Sequence, residues 1–360
     1  MTADPGRGES IAAEPGLRIY SVTPESVTSD QRLDGDYRTR LGVTAAASEA
    51  AGWTGILVPH NLHEVDPWIV AGHLGAVTSN LVPLLALQPA CTPPHTAAAC
   101  AAAYAMLYGR PLYFNLVTGA RDDEMRRIGD ELTHDQRYER LRHYGRVLRA
   151  LLNGESVDET GEHYTYQGFR LEPRPEVLAQ CKVFVAGSSP AGLAVAREIA
   201  DVVVTHPAPY AQWRQEFLDP LRESGYTGEI GIRIGVLSRP DPADAWREAH
   251  ERFPESWLGR QEALLKTQSS NQWSRVLARQ AVAEEAEASG GRDPYWLGAF
   301  RSGRASAPFL VGDYAEVAER LAEYASAGVG HLLLSGGAEE DYPHIRRALP
   351  RIGERGDGLA

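Results

Sequence analysis

The chain has 360 residues, 48 of them acidic and 36 basic, for a formal net charge of -12, with 43% hydrophobic and 23% charged residues. This is ordinary globular composition, long enough for two packed domains or one large α/β barrel. It disfavours a nucleic-acid binder, which presents a basic face, and three cysteines without a CxxC pair disfavour a disulfide framework.

Residues 1–16, MTADPGRGESIAAEPG, lack the basic start and apolar stretch of a secretory signal and read as a flexible polar arm. Residues 351–360 read as a similar tail. No apolar run of about 20 residues suggests a membrane span, so a cytoplasmic, reducing setting is expected. Between the ends, short apolar runs predict strands at Leu17–Tyr20, Gly55–Val58, Leu81–Leu87, Leu112–Val117, Lys182–Ala186, Asp201–Val204, Ile230–Leu237 and His331–Leu334. They are continuous rather than alternating, as in parallel strands covered on both faces.

Helices are predicted between them. Tyr37–Ala51 ends at Gly52, and His134–Leu152 ends before Asn153-Gly154. Pro94–Tyr108 has too few charges for a solvated helix and is expected to be largely buried. Pro190–Ala200 begins with a proline suited to a first turn, and Tyr314–Ala327 ends at Gly328. Eight βα units favour a (β/α)8 TIM barrel as one domain over residues 17–350, with a doubly wound sheet as the alternative. Two segments break the rhythm. Ser156–Pro175 suggests a surface hairpin, and about residues 241–307 form an insertion after strand 7. That insertion reads either as a substrate lid or as a helical decoration supporting an oligomer. Its stretch Phe300–Ala307 has few groups to bury and is expected to move.

The chemistry-bearing residues lie near predicted strand ends. Gly187-Ser188-Ser189 is a small-residue turn into a helix, able to hold a phosphate on backbone N–H groups and hydroxyls, although such turns are common. Asn115 and Thr118 close the fourth strand, where barrel ligands bind, or merely cap a loop. His134 and Tyr138 share a helix face and can reach one phosphate or ring, or simply serve as a helix start with a surface aromatic. Arg233 lies inside an apolar run and must find a partner or line a pocket. His206 follows the sixth strand, with a titration range suited to proton transfer. His60 and His63, near Glu64 and Asp66, read as a polar loop without metal rather than a metal cluster. Neither HExxH, nor GxSxG, nor GxGxxG, nor GxxxxGK(S/T) is present.

Taken in order, GWTGILVPHNLHEVDPWIVA, NLVTG, THDQRYERLRHY, VAGSSPAGLAVARE and LVGDYAEVAERLAEYASAGVGHLLLSG resemble the bacterial luciferase-like flavin-dependent monooxygenases, nearest the alkanesulfonate monooxygenase group. The resemblance spans roughly Arg18 to Pro350. It implies a TIM barrel using FMNH2, delivered by a separate flavin reductase, to activate O2 through a flavin C4a-(hydro)peroxide. It carries phosphate contacts onto Tyr138, Ser188 and Ser189 beside His134, a flavin-facing segment onto Asn115–Gly119, and a small ring neighbour onto Ala86. The mobile arginine loop falls near Arg301 and Arg304, and a pocket arginine on Arg233. His206, His60 or His63 would relay a proton.

Several substrate positions of the sulfonate group differ. Its cysteine is Glu64, its histidine Gly235, its tryptophan His206 and its strand-end arginine Gln88, while its closing tyrosine has no aligned counterpart, Tyr342 lying slightly later. The flavin half is thus kept better than the substrate half. The resemblance leaves open a small organic substrate, free or carrier-protein-bound as in secondary metabolism, or desulfonation of an alkanesulfonate. An F420-dependent oxidoreductase of the same superfamily and a non-catalytic flavin-binding barrel stand as alternatives. A homo-dimer or homo-tetramer is implied by the family.

Overall fold

A computed structural model describes residues 16–26, 35–119, 122–254, 256–267, 275–281 and 293–350. Almost all of the expected arm and the whole C-terminal tail fall outside them. All eight predicted barrel strands are present: β1 (Arg18–Val22), β2 (Gly55–Val58), β3 (Val82–Leu87), β4 (Tyr113–Leu116), β7 (Val183–Ala186), β8 (Val202–Thr205), β9 (Glu229–Arg239) and β12 (Val329–Leu334). Each pairs in parallel with the next, and β12 pairs with β1, which closes a (β/α)8 barrel. The predicted hairpin is β5 (Val157–Thr160) and β6 (Thr165–Phe169), antiparallel and outside the barrel.

Helix boundaries follow cap chemistry. Thr133 and Gln136 form a reciprocal capping box that starts helix His134–Asn153, and Gly154 ends it at φ +81°. Ser189 Oγ accepts from Gly192 N at 3.1 Å and starts helix Pro190–Ile199.

Closure makes every second strand residue point inward. The lower interior is filled by Tyr20, Leu84, Phe184 and Val202, and Leu57 and Leu333 of the same cluster reach the cavity above. Tyr20 packs edge-on against Phe184 at 5.7 Å and stacks on His331 at 5.8 Å. Two residues further along several strands, the same inward file reaches Ala86, Asn115, Ala186 and Arg233, which line a cavity at the C-terminal ends. The floor is polar. Glu229 is paired with Arg18 at 2.5 Å, with His331 at 3.2 Å and with Lys182. Tyr20 Oη lies 3.2 Å from His331 Nδ1, so His331 in the Nε2–H tautomer serves both neighbours.

Three expectations need correction. Strand seven runs beyond Leu237 to Arg239. Its outer half leaves the barrel and pairs in parallel with β11 (Phe309–Asp313), which in turn pairs with β10 (Tyr295–Trp296). The Phe309 ring explains the unbranched Gly235, since a Cβ there would lie 2.4 Å from it. Second, helix Pro94–Tyr108 buries only one face, and Met106 and Leu107 are 61% and 74% exposed. Third, Phe300–Ala307 is not poor in buried groups: Phe300, Ser302 and Ala307 are all buried. The insertion is also pinned to the frame. Buried Asp341 accepts from Arg239 at 2.7 Å and also binds Arg252, while Glu248 bridges the same two arginines.

The hydrogen bonds from His331 and then Lys182 hold the Glu229 carboxyl well below the usual carboxylate range, and burial holds His331 below the ordinary imidazole value. Both groups therefore bind fewer protons folded than unfolded, so their stabilisation is present at neutral pH and shrinks on acidification. Glu229 is about a third solvent-exposed, so Glu229→Gln is expected to cost only about 1–2 kcal/mol in urea melts at pH 7. The gap to wild type should persist at pH 5 and narrow only as the pH falls below about 4.5, the ordinary carboxylate value, toward pH 2; a gap already closed by pH 5 would contradict the assignment.

Candidate active site

The cavity at the C-terminal ends of the barrel strands has a volume of about 210 Å³. Barrel enzymes place their chemistry at this end because loops from different strands converge there. Of the residues singled out from sequence, His60, Gln88, Thr118, His134, Tyr138, Gly187, Ser188, Ser189 and His206 line it, together with the inward Ala86, Asn115 and Arg233. Glu64 and Arg304 instead line a second chamber of about 630 Å³, which shares Pro59 and Arg233 with the first. His63 is exposed, and Arg301, half-buried on helix Gly298–Arg301, lines neither cavity. Among the described residues no three His, Cys, Asp or Glu side chains gather as a metal site.

The inner cavity has a phosphate-sized cradle on one wall. The Tyr138 hydroxyl is hydrogen-bonded to the Ser189 and Thr118 side chains, and burial pushes its pKa up, so it stays a neutral donor. A Cβ on Gly187 would lie 2.8 Å from Tyr138 Oη, and one on Gly192 3.1 Å, so only glycine lets the turn and the tyrosine meet. Ser188 and Ser189 precede the first turn of a ten-residue helix, whose free N–H groups favour an anion.

The cavity's charge agrees. Arg137 and Arg233 line it, and among the described residues no carboxylate does. In a chain of net charge -12 this is a local positive site. Burial pushes the Arg233 guanidinium down to about 10, so it remains a cation at neutral pH. Its Nε is shut off from solvent without a hydrogen-bond partner, as are Asn115 Oδ1 and both ring nitrogens of His60. Such orphaned polar atoms converging on one cavity mark where a polar ligand completes the bonding.

Arg137 was not legible from sequence. It occupies the position three residues after His134, on the face shared with the cradle, and is only 3% exposed. Pro59 and Thr205, also in the wall, each lie one residue beyond a predicted strand, Gly55–Val58 and Asp201–Val204.

Burial depresses His60, and burial followed by the Arg233 charge depresses His206 well below the ordinary imidazole value. Both rings are therefore neutral at physiological pH, with one nitrogen able to donate and the other to accept.

A family model for luciferase-like monooxygenases matches residues 18–331. The chain belongs to the luciferase-like monooxygenase family. Within the family it is 36% identical, over 94% of its length and 95% of the relative's, to the 4-(γ-L-glutamylamino)butanoyl-[BtrI acyl-carrier protein] monooxygenase BtrO of Niallia circulans. Solved structures share the fold at low identity. Riboflavin lyase RcaE superposes with a TM-score of 0.73 at 16% identity, covering 95% of this chain and 94% of that one. EDTA monooxygenase EmoA from Chelativorans sp. BNC1 gives a TM-score of 0.68 at 15% identity, covering 92% of each chain.

Since a lowered histidine pKa leaves the ring neutral down to more acidic pH, NMR titration should show no protonation of His60 or His206 between pH 8 and pH 6.5. A midpoint for either at or above about 6.5, the ordinary imidazole value, would contradict the burial argument.

Proposed function

We propose that this protein is a reduced-FMN-dependent monooxygenase acting on an acyl group carried by an acyl carrier protein. The observation that carries the flavin half is the inner cavity, lined by no carboxylate among the described residues, with the Tyr138, Ser188 and Ser189 cradle on one side and the orphaned Asn115 Oδ1 on another. These residues fit FMN: the cradle and the helix N-terminus suit its phosphate, and Asn115 Oδ1 suits a ring N–H donor. Bound reduced flavin supplies the two electrons that activate O2. One oxygen atom enters the substrate, and the other leaves as water.

The chain's own residues have separable tasks in this reading. Tyr138, Ser188, Ser189, Thr118 and Gly187 anchor the phosphate, with His134 beside them. Ala86 leaves room beside the ring. Arg233, still cationic, stabilises negative charge that develops on oxygen. His60 and His206 donate or accept hydrogen bonds while neutral. Gln88 lies on the substrate side, and the insertion carrying Arg301 and Arg304 covers the loaded site, excluding water.

The carrier-borne substrate is supported by the 36% identity to BtrO, whose name states such a substrate. Alkanesulfonate oxidation has weaker support, because the substrate positions of the sulfonate group differ here, with Glu64, Gln88, His206 and Gly235 in their place. A separate flavin reductase supplies the FMNH2, the protein works as a homo-dimer or homo-tetramer, and its compartment is cytoplasmic and reducing.

The test couples the protein to a flavin reductase under 18O2, with a carrier-borne acyl substrate and mass spectrometry. One 18O atom in the product is expected. A reduced product without label, formed with F420 and not with FMN, would establish the hydride-transfer alternative instead.

A further inference from the structure

Three acids in succession, Glu339, Glu340 and Asp341, form the short turn after β12. The first and third reach different walls of the outer chamber. Glu339 Oε1 accepts from Thr44 Oγ1 on helix Tyr37–Ala50. Asp341, wholly buried, faces the insertion. Its Oδ1 accepts from Arg239 Nη2 at 2.7 Å and from Arg252 Nη2 at 3.2 Å, and its Oδ2 from Arg252 Nη1 at 2.5 Å and from Ala338 N at 3.1 Å. The Arg252 fork thus spans both carboxylate oxygens. The carbonyl of Arg252 in turn accepts from Arg304 Nη1 at 3.1 Å. A continuous chain of contacts therefore runs from Ala338 through Asp341 and Arg252 to Arg304. Its ends stand at two walls: Ser335, Gly336 and Gly337 line one just before Ala338, and residues 303–306 line the other.

Stability alone does not account for this arrangement. Withdrawing two guanidinium groups and their carboxylates from water offsets much of their mutual attraction, so a buried network is weak evidence for stability and better read as fixing a geometry. Burial opposes ionisation of Asp341, and hydrogen bonds from Arg252 and Arg239 overcome it, holding the carboxyl below the ordinary aspartate value. What the network fixes follows from what it connects. Arg239 ends β9, Glu248 and Arg252 lie in the second half of helix Pro242–Arg252, and Asp341 follows the loop leaving β12. Arg304 is an exposed side chain on a loop of the insertion, so its place in the chamber wall depends on where Arg252 stands.

We propose that Asp341 is a positioning residue for the outer chamber: through Arg252 it fixes Arg304 and its loop against the loop that follows β12, so the chamber keeps one shape as substrate enters. The inference rests on the reading that the insertion covers the loaded site. Asp341 lines neither cavity, so it acts only through its partners. A preset chamber spares the substrate the ordering of two loops. Loss of the strut therefore weakens substrate binding before it slows the chemistry.

Hydrogen exchange resolved to single amides tests this in the full chain, in wild type, Asp341→Asn and Arg252→Lys. Lysine keeps the charge but loses the fork, and it leaves Asp341 in place if the asparagine variant does not fold. The amide of Ala305, bonded to Ala299 O at 3.2 Å, is expected to exchange about tenfold faster in each variant, the order of one weakened charge-assisted contact, while barrel-strand amides keep their wild-type rates. Faster exchange confined to Ala338 overturns the coupling and makes Asp341 a local cap. Faster exchange shared by the barrel strands overturns it in favour of a general stabilising role. The second arm is steady-state oxygenation of butanoyl-loaded acyl carrier protein with a flavin reductase. KM is expected to rise about fivefold or more and kcat to stay within about twofold, with reduced-FMN affinity as in wild type. A fall in kcat with KM unchanged overturns the positioning role. Loosening at Ala305 with both constants unchanged overturns the role in substrate binding, and with it the reading that the insertion covers the loaded site. The exchange arm needs no substrate, so it decides the coupling by itself.

Discussion

Closure of eight parallel strands is the constraint on which the rest depends. Once β12 pairs with β1, each strand has one inward file of side chains, and the site is the top of those files. Tyr113 and Asn115 belong to one file, as do Phe184 and Ala186, and Gly231 and Arg233. The lower members fill the interior or seat neighbours, and the upper members face ligand. A one-residue slip in any strand would exchange its inward file for its outward one and remove the site. The polar floor around Glu229 and His331 ties three strands at the opposite end, so stability and chemistry occupy opposite ends of one barrel.

The second organising feature is a basic cavity in an acidic chain: among the described residues Arg137 and Arg233 line the inner cavity without a carboxylate, whereas the outer chamber mixes Glu25, Glu64 and Glu339 with Arg40, Arg233 and Arg304. The turn at Gly187 shows the accompanying steric requirement, because its missing Cβ lets the Tyr138 hydroxyl approach the serines.

Much of this was legible in the sequence, for identifiable reasons. Continuous apolar runs marked strands covered on both faces. Gly187-Ser188-Ser189 was visible as a small-residue turn before a proline-started helix, and Arg233 as a charge inside an apolar run. Arg137 was hidden because an arginine on an amphipathic helix reads as solvated. Strand β11 was hidden because Phe309–Val311 is short and pairs only with the overhang of β9. The outer chamber was hidden for a topological reason. Thr44 and Glu339 are 295 positions apart and meet only because the barrel closes. The ordinary titration range expected of His206 failed because burial and a neighbouring guanidinium both act against its charged form.

The central claim is that the inner cavity grips a flavin by its phosphate. Anaerobic titration with reduced FMN, reduced riboflavin and reduced F420 tests it directly, in wild type and in the Ser188→Ala, Ser189→Ala double variant. The account predicts that FMN binds wild type at least about tenfold tighter than riboflavin, as expected for charge-assisted bonds to a phosphate, and that the variant loses this difference while its riboflavin affinity stays the same. Riboflavin binding as tightly as FMN, or tight binding of F420 alone, would contradict it.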